Sequence, residues 1–350
     1  MPQFTLDSIL QATKNRRPDF TNLAAVLNCE KPSRPTLFEF FLNGELEDYI
    51  IKSTTPCADF DERIVRKVAA FRAVGYDYVT LSISDFRFES NTVESKETCS
   101  LNDGNIITDL DSFEKYPWPN PADLGYDYLE KAAPLLEDGM KIMVSSAGGV
   151  LENVIALFGY DNLCYALADN PQLVEKMFEA VGSRLAQYYE MAAGLPYVGV
   201  LMSNDDWGFN TQTMLSAEDL RKYVFPWHKK IVQAAKKHNK PAILHSCGNS
   251  AQIDADIIEG IGFSGKHSYE DNICPVEEKY FQYKGKIATL GGIDLDFMCR
   301  STPEQVYARA RNMIELSNGC TGYALGSGNS IPPFIPRENY FAMIAAALFE

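Results

Sequence analysis

The sequence predicts an eight-stranded α/β barrel, a (β/α)8 or TIM barrel. Three observations carry that expectation. Eight short apolar runs rich in β-formers punctuate the chain, longer segments of helical period lie between several of them, and no glycine fingerprint of an open nucleotide-binding sheet follows an early run. Strand–helix alternation calls for a parallel sheet, and eight strands can close that sheet so that no edge stays exposed. The 350 residues would make two domains by size alone, but barrels of about 250 residues or more form single domains. With no internal repeat, no low-complexity tract and no linker, one domain over residues 1–350 is expected.

Taken in order, residues 1–33 read as helical turns that precede the first strand and cap the barrel bottom. The strands are expected at 36–41 (TLFEFF), 77–83 (DYVTLSI), 141–146 (KIMVSS), 197–203 (YVGVLMS), 241–247 (PAILHSC), 263–268 (FSGKHS), 287–293 (IATLGGI) and 322–326 (GYALG). Helical periods are clearest over 61–74, 170–193, 218–238 and 303–318. The stretch 87–131 has no clear period and carries Trp118 among prolines 117, 119 and 121. A segment that long is usually functional, and here it reads as a lid over a site.

Composition narrows the function. Apolar residues make up 46% of the chain, enough for a large core, and 32 Lys and Arg stand against 47 Asp and Glu, for a net charge of −15. Nucleic-acid binding needs a basic stripe to neutralise phosphates, and none is present. The most basic stretch, His228 to His238, reads as the solvated face of a helix. No apolar run reaches the ~18 to 20 residues of a membrane span. The N-terminus has no apolar signal core, and the eight cysteines form no Cys-x-x-Cys pair. A reduced, cytoplasmic protein with mostly buried cysteines is expected. A small-molecule substrate is the expected partner, with no nucleic acid and no membrane, and the chain is compatible with a homodimer.

Barrel enzymes place their chemistry at the C-terminal ends of the strands. Those ends read as an acidic set: Asp85; Asn204, Asp205 and Asp206; His245 and Cys247; His267, Glu270 and Asp271; Asp294; and Asn329. An apolar barrel has no structural need for so many carboxylates on one rim. The plain alternative is a solvated rim whose Asp residues cap the following helices. His245-Ser246-Cys247-Gly248 is the sharpest local signal. Residues i and i+2 of a strand share a side, so an imidazole and a thiol can face the barrel axis together, a pairing that suits zinc. The alternative is a buried strand cysteine beside a hydrogen-bonded histidine.

These motifs resemble the uroporphyrinogen decarboxylase superfamily over roughly residues 34–350. The segment 240–249 (KPAILHSCGN) is similar to the one that carries His-x-Cys zinc ligands in the cobalamin-dependent methyltransferases of that superfamily, which move a methyl group between a corrinoid protein and a thiol such as coenzyme M. Ser84-Asp85-Phe86 resembles the Ser-Asp of the decarboxylase itself, whose aspartate binds pyrrole nitrogens. Asp205-Asp206-Trp207-Gly208, with Leu215-Ser216 and Phe225-Pro226-Trp227, resembles the superfamily's acidic turn and following helix. Gly291-Gly292-Ile293-Asp294 and the segment from Ile331-Pro332-Pro333 to Pro336-Arg337-Glu338-Asn339 resemble its last two barrel units.

The resemblance implies a methyltransferase-like enzyme with zinc on His245 and Cys247 and a corrinoid carried by a partner protein. Asp85, Asp205, Asp206, Glu270 and Asp294 would then be catalytic or proton-handling groups, and Asn204, Trp207, His267 and Asn329 substrate-binding ones. A metal-free decarboxylase or lyase on a small acid, anchored by Asp85, is the second reading. A non-catalytic barrel that binds a small ligand or a corrinoid protein is the third. Two departures shape the expectation. The decarboxylase's N-terminal arginine-rich segment, which holds the substrate's carboxylates, is reduced here to Arg34, so uroporphyrinogen is not the expected substrate. The methyltransferases' third zinc ligand, a Cys after the last strand, is matched by Asn329. A neutral amide is a poor zinc ligand, so His267, Glu270, Asp205 or Asp206 would have to complete the set. Cys320 precedes the last strand and is expected at the opposite end of the barrel.

Overall fold

The computed structural model describes residues 3–55, 57–90, 100–102 and 105–349. Among the described residues, seven parallel strands follow one another around a curled sheet: β1 (Tyr78–Leu81), β2 (Lys141–Val144), β3 (Val198–Asn204), β4 (Ala242–His245), β5 (Gly265–His267), β6 (Ala288–Leu290) and β7 (Tyr323–Ala324). Six of them lie inside an expected run and stop short of its end, because the polar residues there turn away into the loops, whereas β3 runs one residue past the expected 197–203, to Asn204. Every strand is followed by helical structure, so the architecture is the expected α/β barrel.

The run at 36–41 departs from expectation. It forms no strand among the described residues but lies beside β7 through isolated bridges, Leu37 with Leu325 and Leu42 with Ile331. Backbone bonds from Phe38 N to Leu325 O and from Leu325 N to Thr36 O, both 2.8 Å, hold that side. On its other side the Tyr78 hydroxyl replaces a ladder. It donates to Glu39 O and accepts from Glu39 N, both at 2.7 Å. The barrel is therefore closed across one seam by a side chain.

The helices owe their ends to local chemistry. Asn170 caps helix Pro171–Ala193, which begins with proline where an N–H is not needed, and Thr302 caps Pro303–Leu316 in the same way. The period expected over 218–238 breaks into Ala217–Asp219, a wide π turn at Leu220–Val224 and helix Phe225–Lys237. Pro226 lacks the N–H that a regular helix would use there. The lysines of that last helix are solvated as expected, but His228 is fully buried, a correction to the solvated-face reading.

Helices Leu6–Thr13 and Thr21–Leu27 lie under the barrel. Phe20 and Leu27 press against Gly199 and Gly265 at the starts of β3 and β5, where any side chain would collide with them. Arg34 reaches Asp77 at 2.6 Å at this same lower end, so the remnant of the arginine segment serves the barrel floor. Cys320 is buried there as well, its amide bonded to Ser317 Oγ. The stretch 87–131 holds helix Leu110–Lys115 and most of helix Asp127–Ala132, and residues 91–99, 103 and 104 of it lie outside the described residues. Its Trp118 sits under the Arg184 guanidinium, 5.1 Å away, and the Arg184 Nε donates to Pro119 O. Around Trp118 the stretch thus docks on helix Pro171–Ala193, while Ile106 N and Ile107 N donate to Leu157 O, both at 3.0 Å.

Candidate active site

In a parallel barrel all strands end on one side, so Asp85, Asn204, Asp206, His245, Glu270, Asp294 and Asn329 share the C-terminal mouth. Within it, one group converges. Asn204 and His245 are register partners at the tips of β3 and β4, and His245 pairs with His267 at the tip of β5. Strand β4 ends at His245, so Cys247 lies two residues past it in a loop rather than on the strand. Its sulfur is 3.7 Å from His245 Nε2, and its amide donates to Asp206 Oδ1 at 2.8 Å. One ligand atom each from Asp206, His245 and Cys247 lies within 4.8 Å of the others. A nitrogen, a thiol sulfur and a carboxylate oxygen form a donor set that suits zinc.

The loops are shaped to allow this. Gly248 has φ +80°, and a Cβ there would sit 2.0 Å from Gly208 O, so the loops after β3 and β4 press backbone against backbone. Ser268 carries φ +82°, a left-handed conformation uncommon for a non-glycine residue. Its hydroxyl points to Cys247 Sγ at 3.4 Å, and Asn329 Nδ2 donates to the same sulfur at 3.2 Å. Asn329 thus touches Cys247 as the motif alignment implied, as a donor to the thiol. Phe40 and Phe38 lie 4.8 and 5.0 Å from the rings of His245 and His267.

Burial dominates the electrostatics. It lowers His245 to about 4 and holds His267 well below the usual range, so both rings are neutral near pH 7. Burial, with Asp206 beside it, pushes the Cys247 thiol up to about 12. A cation would have to displace that proton.

Other expected residues are placed differently. Asp205 is fully buried and faces away from the cleft. Its carboxylate accepts from Leu151 N and Glu152 N, both at 3.0 Å, and from Trp207 Nε1 and His228 Nε2, both at 2.9 Å. It is a cap for helix Val150–Phe158. Trp207 is buried with its one polar atom spent on Asp205. Asp294 caps helix Leu295–Arg300 through Phe297 N at 2.8 Å and takes Asp271 N at 3.0 Å on its other oxygen, as the plain rim reading holds. Asp85 is two-thirds exposed beside Arg87. Glu270 stands closer to the chemistry, with Oε1 at 3.4 Å from Gly248 N. A cleft of about 860 Å³ is lined by Cys247, Tyr269, Glu270, Asp294, Phe297 and Asn329, among others. The sulfur therefore opens onto space large enough for a small molecule.

Two acids escaped sequence reading. Glu152 accepts Gly149 N at 2.8 Å and is raised to about 8 by burial and then by Asp205 and Asp206. Glu39, fully buried in the seam, is also raised to about 8 by burial while it accepts Ser327 N and Oγ at 2.7 and 2.8 Å. Glu152 has half a signal, a glutamate three residues past the N-cap Gly149 whose carboxylate takes that residue's amide, without the Ser or Thr that completes a capping box. Glu39 had none beyond being a lone acid in TLFEFF.

The model of the family described as uroporphyrinogen decarboxylase (URO-D) matches residues 93–348. A methylated-thiol–coenzyme M methyltransferase of Methanosarcina mazei is 23% identical over 316 residues, covering 85% of this chain and 80% of that one. A uroporphyrinogen decarboxylase of Anaeromyxobacter dehalogenans is 26% identical over 136 residues, 38% of this chain and 36% of its own. Among solved structures, a methyltransferase from Methanosarcina mazei superposes with a TM-score of 0.70 at 17% identity, covering 93% of this chain and 97% of that one.

Proposed function

Because the chain belongs to the uroporphyrinogen decarboxylase family, we propose that it is a methyltransferase-like enzyme of that family, a single barrel domain that moves a methyl group between a corrinoid protein and a thiol or similar small acceptor with the help of one zinc ion. The observation that carries this reading is the convergence of Asp206, His245 and Cys247 at the mouth, their ligand atoms within 4.8 Å. Three protein ligands with space beside them are what a catalytic zinc site requires. Asp206 is then the third ligand in place of the family methyltransferases' second cysteine. Zinc in this set supplies Lewis acidity that makes a bound thiol more acidic.

The chain's own residues do the rest. Cys247 and Asn329 line the cleft, so an acceptor entering it meets the sulfur side of the site. Asn204 Oδ1 is buried without a partner at the register position beside His245, where a polar substrate group would satisfy it. Glu270, with only a long contact to Gly248, is free to bind substrate or to take its proton. Likeness to a methylated-thiol–coenzyme M methyltransferase supports the acceptor class. A thiol ligand also requires a reducing compartment, which points to the cytoplasm.

Calorimetric titration with zinc near neutral pH tests the metal. About one zinc per chain is expected, lost in His245→Ala and Cys247→Ala with the fold intact. No heat from the wild type, or equal heats from the wild type and Cys247→Ala, would overturn it. Zinc-loaded protein given methylcobalamin and coenzyme M should then form methylated thiol, and failure with a loaded site would leave a binding barrel.

A further inference from the structure

We infer that His267 is a positioning residue that fixes the tautomer of His245, so that the ring nitrogen turned toward Cys247 and Asp206 is the one that carries a free lone pair. The inference starts from a backbone carbonyl, which can only accept. His267 Nε2 lies 3.4 Å from Ser327 O and must carry the proton. A neutral imidazole has one N–H, so His267 Nδ1 is an acceptor. His245 Nδ1 stands 2.8 Å from it and must donate. His245 Nε2 is then bare, 3.7 Å from Cys247 Sγ. Two nitrogens of the same type in contact are resolved in one direction only, because the far end of the chain is a carbonyl.

The carbonyl itself is held in place. Ser327 O also accepts Gly292 N at 2.8 Å, while Ser327 N and Oγ both donate to Glu39. Gly291 leaves room for the contact. A Cβ at that position would stand 2.2 Å from Ser327 O and 3.1 Å from His267 Nε2. Phe38 and Phe40 flank the two rings and limit their rotation. The relay thus runs from the β7 loop through β5 to β4, and a metal-ligating His oriented by the partner of its other nitrogen is what such a site needs.

The use of this device as metal preparation rests on the zinc reading, but the tautomer is a property of the metal-free chain. The chain has four histidines, so long-range proton–nitrogen correlation on the full protein labelled with 15N-histidine can assign each ring. We expect His245 as the Nδ1–H form. His267→Asn places an amide oxygen near the old Nδ1 position and should keep that form. His267→Gln moves the amide out to the Nε2 level and should release His245 toward the Nε2–H form. Zinc affinity should fall about 10- to 100-fold in His267→Gln and recover largely in His267→Asn. A wild-type His245 protonated on Nε2, or a His267→Gln spectrum with His245 unchanged, overturns the inference. A fixed tautomer in a chain that binds no zinc would sink the metal reading and leave this one standing.

Discussion

Asp205 and Asp206 are neighbours in sequence, and each meets a histidine or a thiol, yet they belong to opposite kinds of structure. Asp205 is sealed beneath the rim, where two backbone amides, an indole and the ring of His228 consume its oxygens. Asp206 is half-buried at the rim, has one amide on Oδ1, and faces His245 and Cys247. The His228 ring is likewise used on both sides, by Asp205 and by Ser203 Oγ, whereas His245 keeps one nitrogen toward the sulfur. Side-chain type does not separate the two clusters. Saturation does, because a carboxylate whose lone pairs are all taken has nothing left to offer a ligand.

The sharpest way to break this contrast is to remove each carboxylate. Asp205→Ala should cost about 3–5 kcal/mol of stability, since it strands a buried histidine, an indole N–H and two helix-terminal amides. Asp206→Ala should stay within roughly 1 kcal/mol but lose zinc affinity by more than about 100-fold, beyond what loss of an outer partner costs. Urea unfolding and zinc titration on both variants read the two effects. Equal destabilisation, or unaltered zinc binding in Asp206→Ala, would erase the distinction.

A smaller effect sharpens the open side. Asn329 already donates to the Cys247 sulfur, so Asn329→Cys exchanges a donor for a second soft ligand. Zinc affinity should rise on the order of tenfold, read by competition with a chelator. An unchanged affinity would mean that the loop after β7 does not reach the metal position.

A pH-dependent effect concerns the buried acids. Glu39 is raised from an ordinary 4.5 to about 8. The unfolded chain loses this proton near 4.5 and the folded chain keeps it to about 8, so the folded state binds more protons in between. Stability therefore falls as pH rises through that window, by at most about 1.4 kcal/mol per pH unit for one group. Glu152 contributes in the same direction. Glu39→Gln should flatten, without abolishing, the decline in melting temperature between pH 5 and 8. A melting profile parallel to the wild type would show that Glu39 is ionised in the fold.

Much of this was legible beforehand, for reasons particular residues make plain. Strands announced themselves because buried parallel strands are continuous apolar runs, and the mouth followed because polar residues stood at their ends. Residues 36–41 read as a full strand because TLFEFF has the composition of one, while the seam depends on how Tyr78 reaches across from another strand. His245 and Cys247 were visible as a pair. Asp206 could not be chosen over Asp205, since the choice turns on which carboxylate meets the start of helix Val150–Phe158, more than fifty residues earlier in the chain. Trp207 enters the site reading through the family resemblance and Asp294 through its place at a strand end, while their hydrogen-bond partners tie them to packing and capping.

The tyrosine seam has a bearing on how the molecule breathes. Between β1 and residues 36–41 the wall has the Tyr78 hydroxyl on the Glu39 backbone in place of a ladder, and local opening begins where the fewest bonds must break together. The segment that would swing out carries Phe38 and Phe40, which pack against the rings of His267 and His245. It also carries Glu39, the anchor of Ser327. Fraying of this one staple would tilt both imidazoles at once, so the geometry of the mouth and the integrity of the barrel's first turn rise and fall together.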